Sequence, residues 1–549
     1  MAKSNVSMKK QSKKLIQLLN AAQNKIDAQD WSAALELMLK AKTLDEVNYG
    51  LLFQIGWAYM QLGQPKLALS FFQKVETLAK KNVDILNLVG MAYMQLNIWP
   101  AALRVSLQSM ALDASKIGTY LNLAKVYYNL QEHKKSLDVS MKAILLDMSN
   151  VSVHLNMGAA LLAMGFLKEA RISFETCIAL DSDSLDARFN LAVISAQEGN
   201  RVKAIDHYRT YVSRAEAAGD DNLNAGRYNL GLELLKNGEL KEGWALYESG
   251  FDPAITAFGA RSPSRRFLVP KWKGQPIPGQ RLLVWAEQGL GDEILFMSCM
   301  RDVLATATNV ILECAPRLVP VMARSFPSVT VRETAFDPGN FNSSLHNDFD
   351  HHIPLGSLAG LYRQTLQDFD RSLPYVVTDA AVKERFSQRL AGLEGKLKVG
   401  ICWRSGVLNA ERNKHYSAII DWGSLLQLPN CVFVNLQYGD CEAELVEAEN
   451  RFGISILRWP DLDLKNHIDD SLALIECLDL VVTTGSAVHS MAGSLGKPTL
   501  MMLGEWGYGN FGTDHYPWHP NTRCFVPTSG QILATVLPRV AAIVAELSS

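Results

Sequence analysis

Small residues recur along the first half of the chain in a fixed rhythm. A small position is followed twelve residues later by another, and the pair returns every thirty-four residues: Ala22/Ala34, Gly56/Ala68, Gly90/Ala102, Ala124/Ser136, Gly158/Ala170 and Ala192/Ala204. Three residues after the first small position stand Tyr59, Tyr93, Tyr127 and Leu161, and Leu-Asp pairs close units at Leu44-Asp45, Leu112-Asp113, Leu146-Asp147 and Leu180-Asp181. Two antiparallel helices approach closely only where both carry small side chains, with larger residues filling the neighbouring groove, so the spacing predicts stacked helix pairs. A seventh, shifted unit with Gly231 and Gly243 follows an insertion containing EAAGDD, which extends the array over residues 8–250.

After Trp244 the period changes. The segment FDPAITAFGARSPSRRFLVPKWKGQPIPGQ has neither helical nor alternating pattern and reads as a linker over 251–280. Apolar runs then alternate with helix-length segments: RLLVWAEQ (281–288), NVILECAP (309–316), SVTVRETA (328–335), KVGICWRSG (398–406), CVFVNLQYG (431–439), ISILRWP (454–460), LDLVVTTGS (478–486) and PTLMMLG (498–504). Such alternation predicts parallel sheets wound with helices, in two Rossmann-like lobes at 281–368 and 398–549 joined by a connector at 369–397. In open sheets of this kind a ligand sits at the carboxyl ends of the strands, here in a cleft between the lobes. The fold class expected is α plus α/β multidomain. Paired lobes without metal-ligand clusters point to the GT-B arrangement of glycosyltransferases, an architecture that periplasmic-type binding proteins approximate.

The thirty-four-residue unit resembles the tetratricopeptide repeat, which implies a superhelix whose concave side holds an extended peptide. Two residues before each small position stand Gln54, Leu88, Asn122, Asn156, Asn190 and Asn229. A carboxamide carries both a donor and an acceptor. A row of them either clamps a peptide main chain or satisfies a local bond between helices. The column is similar to the asparagine ladder that holds acceptor protein in the O-GlcNAc transferase family.

Composition narrows the partners. Against 56 acidic residues stand 54 basic ones, a net charge of −2, which gives no bulk attraction to nucleic acid or to an anionic membrane. Eight scattered cysteines form no CxxC pair, so they read as reduced core thiols, and no metal is expected. His351 and His352, in DFDHHIPLG, lack a third ligand and read as a strand-edge pair. The basic N-terminus MAKSNVSMKKQSKK precedes no apolar run, and no stretch reaches the length needed to span a bilayer. A cytoplasmic protein is expected.

Candidate chemistry gathers at strand ends. EQGLGDEILF puts Gly289 and Gly291 between a strand and a helix with Asp292 at the helix start, where it serves either as a cap or as a general base facing the cleft. GICWRSGVLNAERNKHYS sets Arg404, Arg412, Lys414 and His415 after a buried strand, either to meet phosphate or as a solvated basic loop. Gln437 and Tyr438 end the next strand, suited to a base or ribose contact or to edge packing. Asp470 precedes an amphipathic helix. Thr484, Gly485 and Ser486 open a helix of small residues whose amides suit a phosphate or carboxylate, with His489 one turn along as a contact or as packing. Trp518 reads as a core anchor.

The run W-x-E-Q-G-x-G-D-x-I-x-F resembles that of bacterial tetratricopeptide proteins carrying a glycosyltransferase module related to the ADP-heptose transferases, and the resemblance implies Asp292 as the base. The later turn departs from the heptose enzymes, because Gly485 stands where they have Asp and Ser490 where they have His. With GTDHYPWHPNTRCF (512–525) it looks instead like the tetratricopeptide glycosyltransferases that attach nonulosonic acids, such as pseudaminic or legionaminic acid, to flagellin. This implies a CMP-activated sugar donor as substrate, no cofactor, and Ser or Thr of flagellin as acceptor. Arg412 or His415 would then meet the sugar carboxylate. Two other classes remain at this level: a non-catalytic flagellin chaperone or scaffold, and a GT-B enzyme acting on another protein or on a glycan.

Overall fold

The structure, a computed structural model, describes all residues except 1, 253–254, 256–260, 335, 338–339, 345, 347, 371–373, 407–414 and 529–530. By packing, the chain forms two compact units, Met1–Ile194 and Ser195–Ser549.

The first unit is a succession of helix pairs, for example Tyr49–Gln61 with Pro65–Leu78, Val83–Gln95 with Trp99–Leu112, and Val151–Ala163 with Leu167–Leu180. Local chemistry sets the boundaries. The side chains of Asn48, Asn82 and Asn150 accept the backbone N–H of Leu51, Ile85 and Val153, so these three first helices begin on a side-chain cap, whereas the helix Ile117–Asn129 starts at Lys116 without one. The turn between the helices of a pair passes through the left-handed region at Gln29, Gly63, Asn97, Gln131, Gly165 and Gly199, again thirty-four residues apart. That residue ends the first helix and reverses the chain.

Between the helices of a pair the small positions do their expected work with one difference. Ala34, Ala68, Ala102, Ser136 and Ala170 are fully buried. What comes closest to the first-helix glycine, however, lies a further turn along: a Cβ on Gly56 would stand 2.7 Å from the Phe72 ring, and one on Gly158 would stand 2.8 Å from that of Phe174. Glycine here makes room for an aromatic ring, which the spacing of small residues alone does not reveal.

The second unit begins with further helices, Arg201–Ala218, Leu223–Lys236 and Leu240–Tyr247, and continues into two parallel sheets. The first sheet contains β1 (Arg281–Trp285), β2 (Asn309–Cys314), β3 (Thr330–Glu333) and, after the antiparallel pair β4 (Phe336–Asp337) and β5 (Asn340–Ser344), β6 (His351–Pro354), in the order β3-β2-β1-β6. The second contains β7 (Leu397–Cys402), β8 (Cys431–Asn435), β9 (Ile456–Leu457), β10 (Leu480–Thr484), β11 (Thr499–Met502) and β12 (Thr522–Phe525), in the order β12-β11-β10-β7-β8-β9. All the pairings within these two sheets are parallel. Both faces of such a sheet are covered, which is why β1, β2 and β10 are nearly unbroken apolar runs.

The last repeat helix is part of the same core. Trp244 packs edge-on against Phe296, Phe511 and Trp518, and its indole N–H donates to the Arg363 carbonyl at 2.9 Å. Trp518 is buried there. Among the described residues no helix is long and apolar enough to cross a membrane.

Candidate functional site

A cavity of about 620 Å³ opens in the second unit. Its walls come from the segments that follow β1, β2, β7, β8, β9, β10 and β11, that is, from the carboxyl ends of strands in both sheets. That is where an open parallel sheet presents loops and helix starts to a ligand.

Asp292 lines this cavity, half-buried, in the short helix Leu290–Phe296. Its carboxylate accepts the Gly289 N–H at 3.3 Å, so the cap role and the cavity position are held by the same residue. Gly291 sits opposite the helix Ala487–Ser494, where a Cβ would come within 3.4 Å of Ala487 Cα and Ser490 Oγ. Those are ordinary contact distances, so the two helix starts, one from each sheet region, lie against one another at the cavity.

Gly485, Ser486, His489 and His415 also line it, as do Tyr438, Tyr508 and Tyr516. Ser486 begins its helix without a side-chain cap bond, leaving the first backbone N–H groups of that helix to another acceptor. His489 is buried, with its ring edge-on to Tyr516 at 4.5 Å between centroids. Burial pushes its pKa down to about 3, so the imidazole is neutral at physiological pH. Thr484 is fully buried at the end of β10 and does not line the cavity.

Arg404 and Gln437 are placed elsewhere. The Arg404 guanidinium grips the Glu444 carboxylate, with Nε 3.1 Å from both oxygens, and Nη2 donates to the Asp440 carbonyl at 2.8 Å. The expectation that Arg404 faces the cleft located its backbone at the end of β7 but missed the carboxylate forty positions downstream. Gln437 is buried, and its Oε1 accepts the N–H groups of Trp403 and Arg404 at 3.2 and 3.0 Å, which ties the end of β8 to that of β7. Arg412 and Lys414 lie outside the described residues. Asp470 stands within the helix Ile468–Glu476, paired with Arg385.

The asparagine column divides as well. Asn122 is buried and its amide donates to the Asn87 carbonyl at 2.9 Å, a bond between helices of the solenoid. Asn190 donates to Asp186 in its own helix at 2.8 Å. Asn156 and Asn229 are half-buried on their helices.

Several groups at the site escaped the sequence reading. Arg317, Lys465, Glu505, Tyr508 and Tyr516 all line the cavity. Their one legible signal was position, since they follow β2, β9 and β11. Glu287, inside the motif that carries Asp292, is buried and bonded to Arg261 of the linker, whose Nε lies 3.0 and 3.1 Å from its two oxygens. Arg261, in a segment read as a linker, is therefore a buried tie to the motif that carries Asp292.

Glu293, next to Asp292, turns inward and accepts the Ala315 N–H at 2.9 Å. Burial raises its pKa to about 7. The folded chain holds this proton where the unfolded chain releases it, so the resulting stability is complete below the ordinary carboxylate range and is lost as pH rises through about 7. The change is about 3 kcal/mol. Urea unfolding at pH 5 and pH 8 should show Glu293→Gln losing less stability across that interval than the parent chain; equal losses would contradict this.

Comparison with known proteins supplies the class. The tetratricopeptide repeat family matches at residues 49–82 and 117–150, in agreement with the helix pairs. The chain carries tetratricopeptide repeats in its helical part, ahead of the parallel sheets, and repeats of this kind suggest a peptide or protein partner. Protein FlbA of Caulobacter vibrioides is 36% identical over 320 residues, covering 56% of this chain and 53% of that protein. The chain thus spans about half the length of this curated relative. Among solved structures, a tetratricopeptide repeat protein from Parabacteroides merdae is similar at 16% identity, covering 44% of this chain and 96% of that one with a TM-score of 0.38. MamA is similar at 21% identity, covering 31% and 93% with a TM-score of 0.28.

Proposed function

We propose that the protein is an inverting, metal-independent O-glycosyltransferase of GT-B architecture that moves a nucleotide-activated sugar, a CMP-nonulosonic acid, onto Ser or Thr of flagellin held by the repeats. The observation that carries this reading is the position of Asp292 on a cavity built from strand ends of both sheets. A carboxylate there accepts the proton of an entering hydroxyl as its oxygen attacks the anomeric carbon. The uncapped start of the helix Ala487–Ser494 offers backbone N–H groups to the departing phosphate. The resemblance of the motif around Asp292, and of the segment 512–525, to the flagellin-modifying enzymes supports the donor class. In this reading the protein works in the cytoplasm.

Arg404 in the grip of Glu444 favours a second reading, a client-binding scaffold in which the lobes no longer handle phosphate. Thermal unfolding with CMP, UDP, GDP and ADP tests the first. A ligand at one hundred times its Kd stabilises by about 2.7 kcal/mol, so CMP should raise Tm by several degrees and the other nucleotides less. No shift with any of the four would overturn the reading.

A further inference from the structure

Besides His415, two basic side chains outside the basic run 404–415 line the cavity. Arg317 follows β2 in the first sheet region, and Lys465 lies on the segment after β9 in the second. Both line the cavity. Arg317 is fastened in place, because its Nη1 donates to the Lys465 carbonyl at 2.5 Å across the two sheet regions. That bond occupies one of the five donor hydrogens of a guanidinium and neutralises none of its charge.

Among the described residues no carboxylate stands within ion-pair distance of Arg317 or Lys465. The nearby Glu293 turns its carboxylate oxygen to the Ala315 N–H instead. Most other arginines of these sheet regions contrast with this: Arg261, Arg265, Arg324, Arg332, Arg404 and Arg458 are each matched to an acid. Glu293 feels the Arg317 charge through space but makes no ion pair with it, so an arginine held at a cavity by a neutral carbonyl keeps its remaining N–H donors for an anion that arrives from outside.

We propose that Arg317, assisted by Lys465, is the binding residue that receives an oxyanion of the sugar donor. The inference rests on the glycosyltransferase reading and adds to it the residue that holds the donor's phosphate or carboxylate. A planar guanidinium matches a phosphate or a carboxylate through two parallel N–H donors, and both groups occur in a CMP-nonulosonic acid. Asp292 lines the same cavity, so the two residues give it an anion-receiving group and a proton-accepting group.

Isothermal titration of the full chain with cytidine, CMP and CMP-N-acetylneuraminic acid tests this with Arg317→Gln, Arg317→Lys and Lys465→Gln. Arg317 and Lys465 are exposed, so the variants should keep the parent's Tm. Lys465→Gln also retains the main-chain carbonyl that holds Arg317. A charged hydrogen bond is worth about 1.5–3 kcal/mol, about 10- to 100-fold in Kd. If Arg317 meets the phosphate, Arg317→Gln weakens CMP and CMP-N-acetylneuraminic acid alike by that factor and leaves cytidine unchanged. If it meets the sugar carboxylate, only CMP-N-acetylneuraminic acid weakens. Arg317→Lys should recover part of the loss, and Lys465→Gln should show a smaller one. Unchanged affinity for both anionic ligands in Arg317→Gln, with the parent binding them, overturns the inference and leaves the glycosyltransferase reading standing. A parent chain that binds neither overturns both.

Discussion

Asp292→Asn should lower sugar transfer by about 100- to 10,000-fold, the usual contribution of a positioned general base. The loss should fall on kcat, with KM for the donor nearly unchanged, because the amide keeps the size of the side chain and still offers an oxygen to the Gly289 N–H. That retained bond is also why the variant should stay folded: the cap on the helix Leu290–Phe296 survives and Tm should fall by no more than a few degrees. Steady-state kinetics together with a melting curve separate the two roles. Normal turnover in the folded variant would reduce Asp292 to a helix cap.

The second large effect is structural. Arg261 is completely enclosed, lying over the Tyr247 and Phe251 rings at 4.6 and 4.0 Å, while it bonds Glu287 at the end of β1 and reaches Glu248 at 3.0 Å and Ser357 at 3.1 Å. Arg261→Ala would leave the Glu287 carboxylate buried without its cation, a change that costs about 3–5 kcal/mol. Glu287 also accepts the Gly356 N–H at 3.1 Å, so its displacement would disturb the segments that follow both β1 and β6. Denaturant unfolding should show that loss, and adding Glu287→Gln should restore a substantial part of it by removing the stranded charge. A drop below 1 kcal/mol in the single variant would show that the tie is dispensable.

How much of this was visible in the chain depends on the range of each interaction. The helix pairs were legible because their determinants recur locally: the small residue, the cap and the left-handed turn all repeat with the period of the unit. Even short strands such as β9 and β11 were legible where they lie in apolar runs, whereas β6 (HHIP) and β12 (TRCF) were not singled out because polar and charged residues interrupt them. Asp292, Gly485, Ser486, His415 and His489 line the cavity, and sequence points to that region because loops after the carboxyl ends of parallel strands share one edge of a sheet.

Side-chain partners were not legible. Nothing near Arg404 announces Glu444, nothing near Glu287 announces an arginine twenty-six residues earlier in a segment rich in proline and arginine, and Asn122 looks like its neighbours in the column until the Asn87 carbonyl is seen beneath it. These pairings are set by the approach of distant segments. For the same reason Arg317 drew no notice in the sequence: a single arginine after a strand acquires meaning only when Lys465 and the cavity are beside it.

In the proposed function the cavity at Asp292 passes a sugar to a polypeptide held by the repeats. The most direct measurement is the intact mass of flagellin produced together with this protein and a CMP-nonulosonic acid supply, compared with flagellin produced beside the Asp292→Asn variant. Flagellin should be heavier by whole nonulosonic acid residues with the parent chain and essentially unmodified with the variant. Flagellin that co-purifies with the parent chain yet keeps its unmodified mass would contradict it and identify the protein as a binding scaffold.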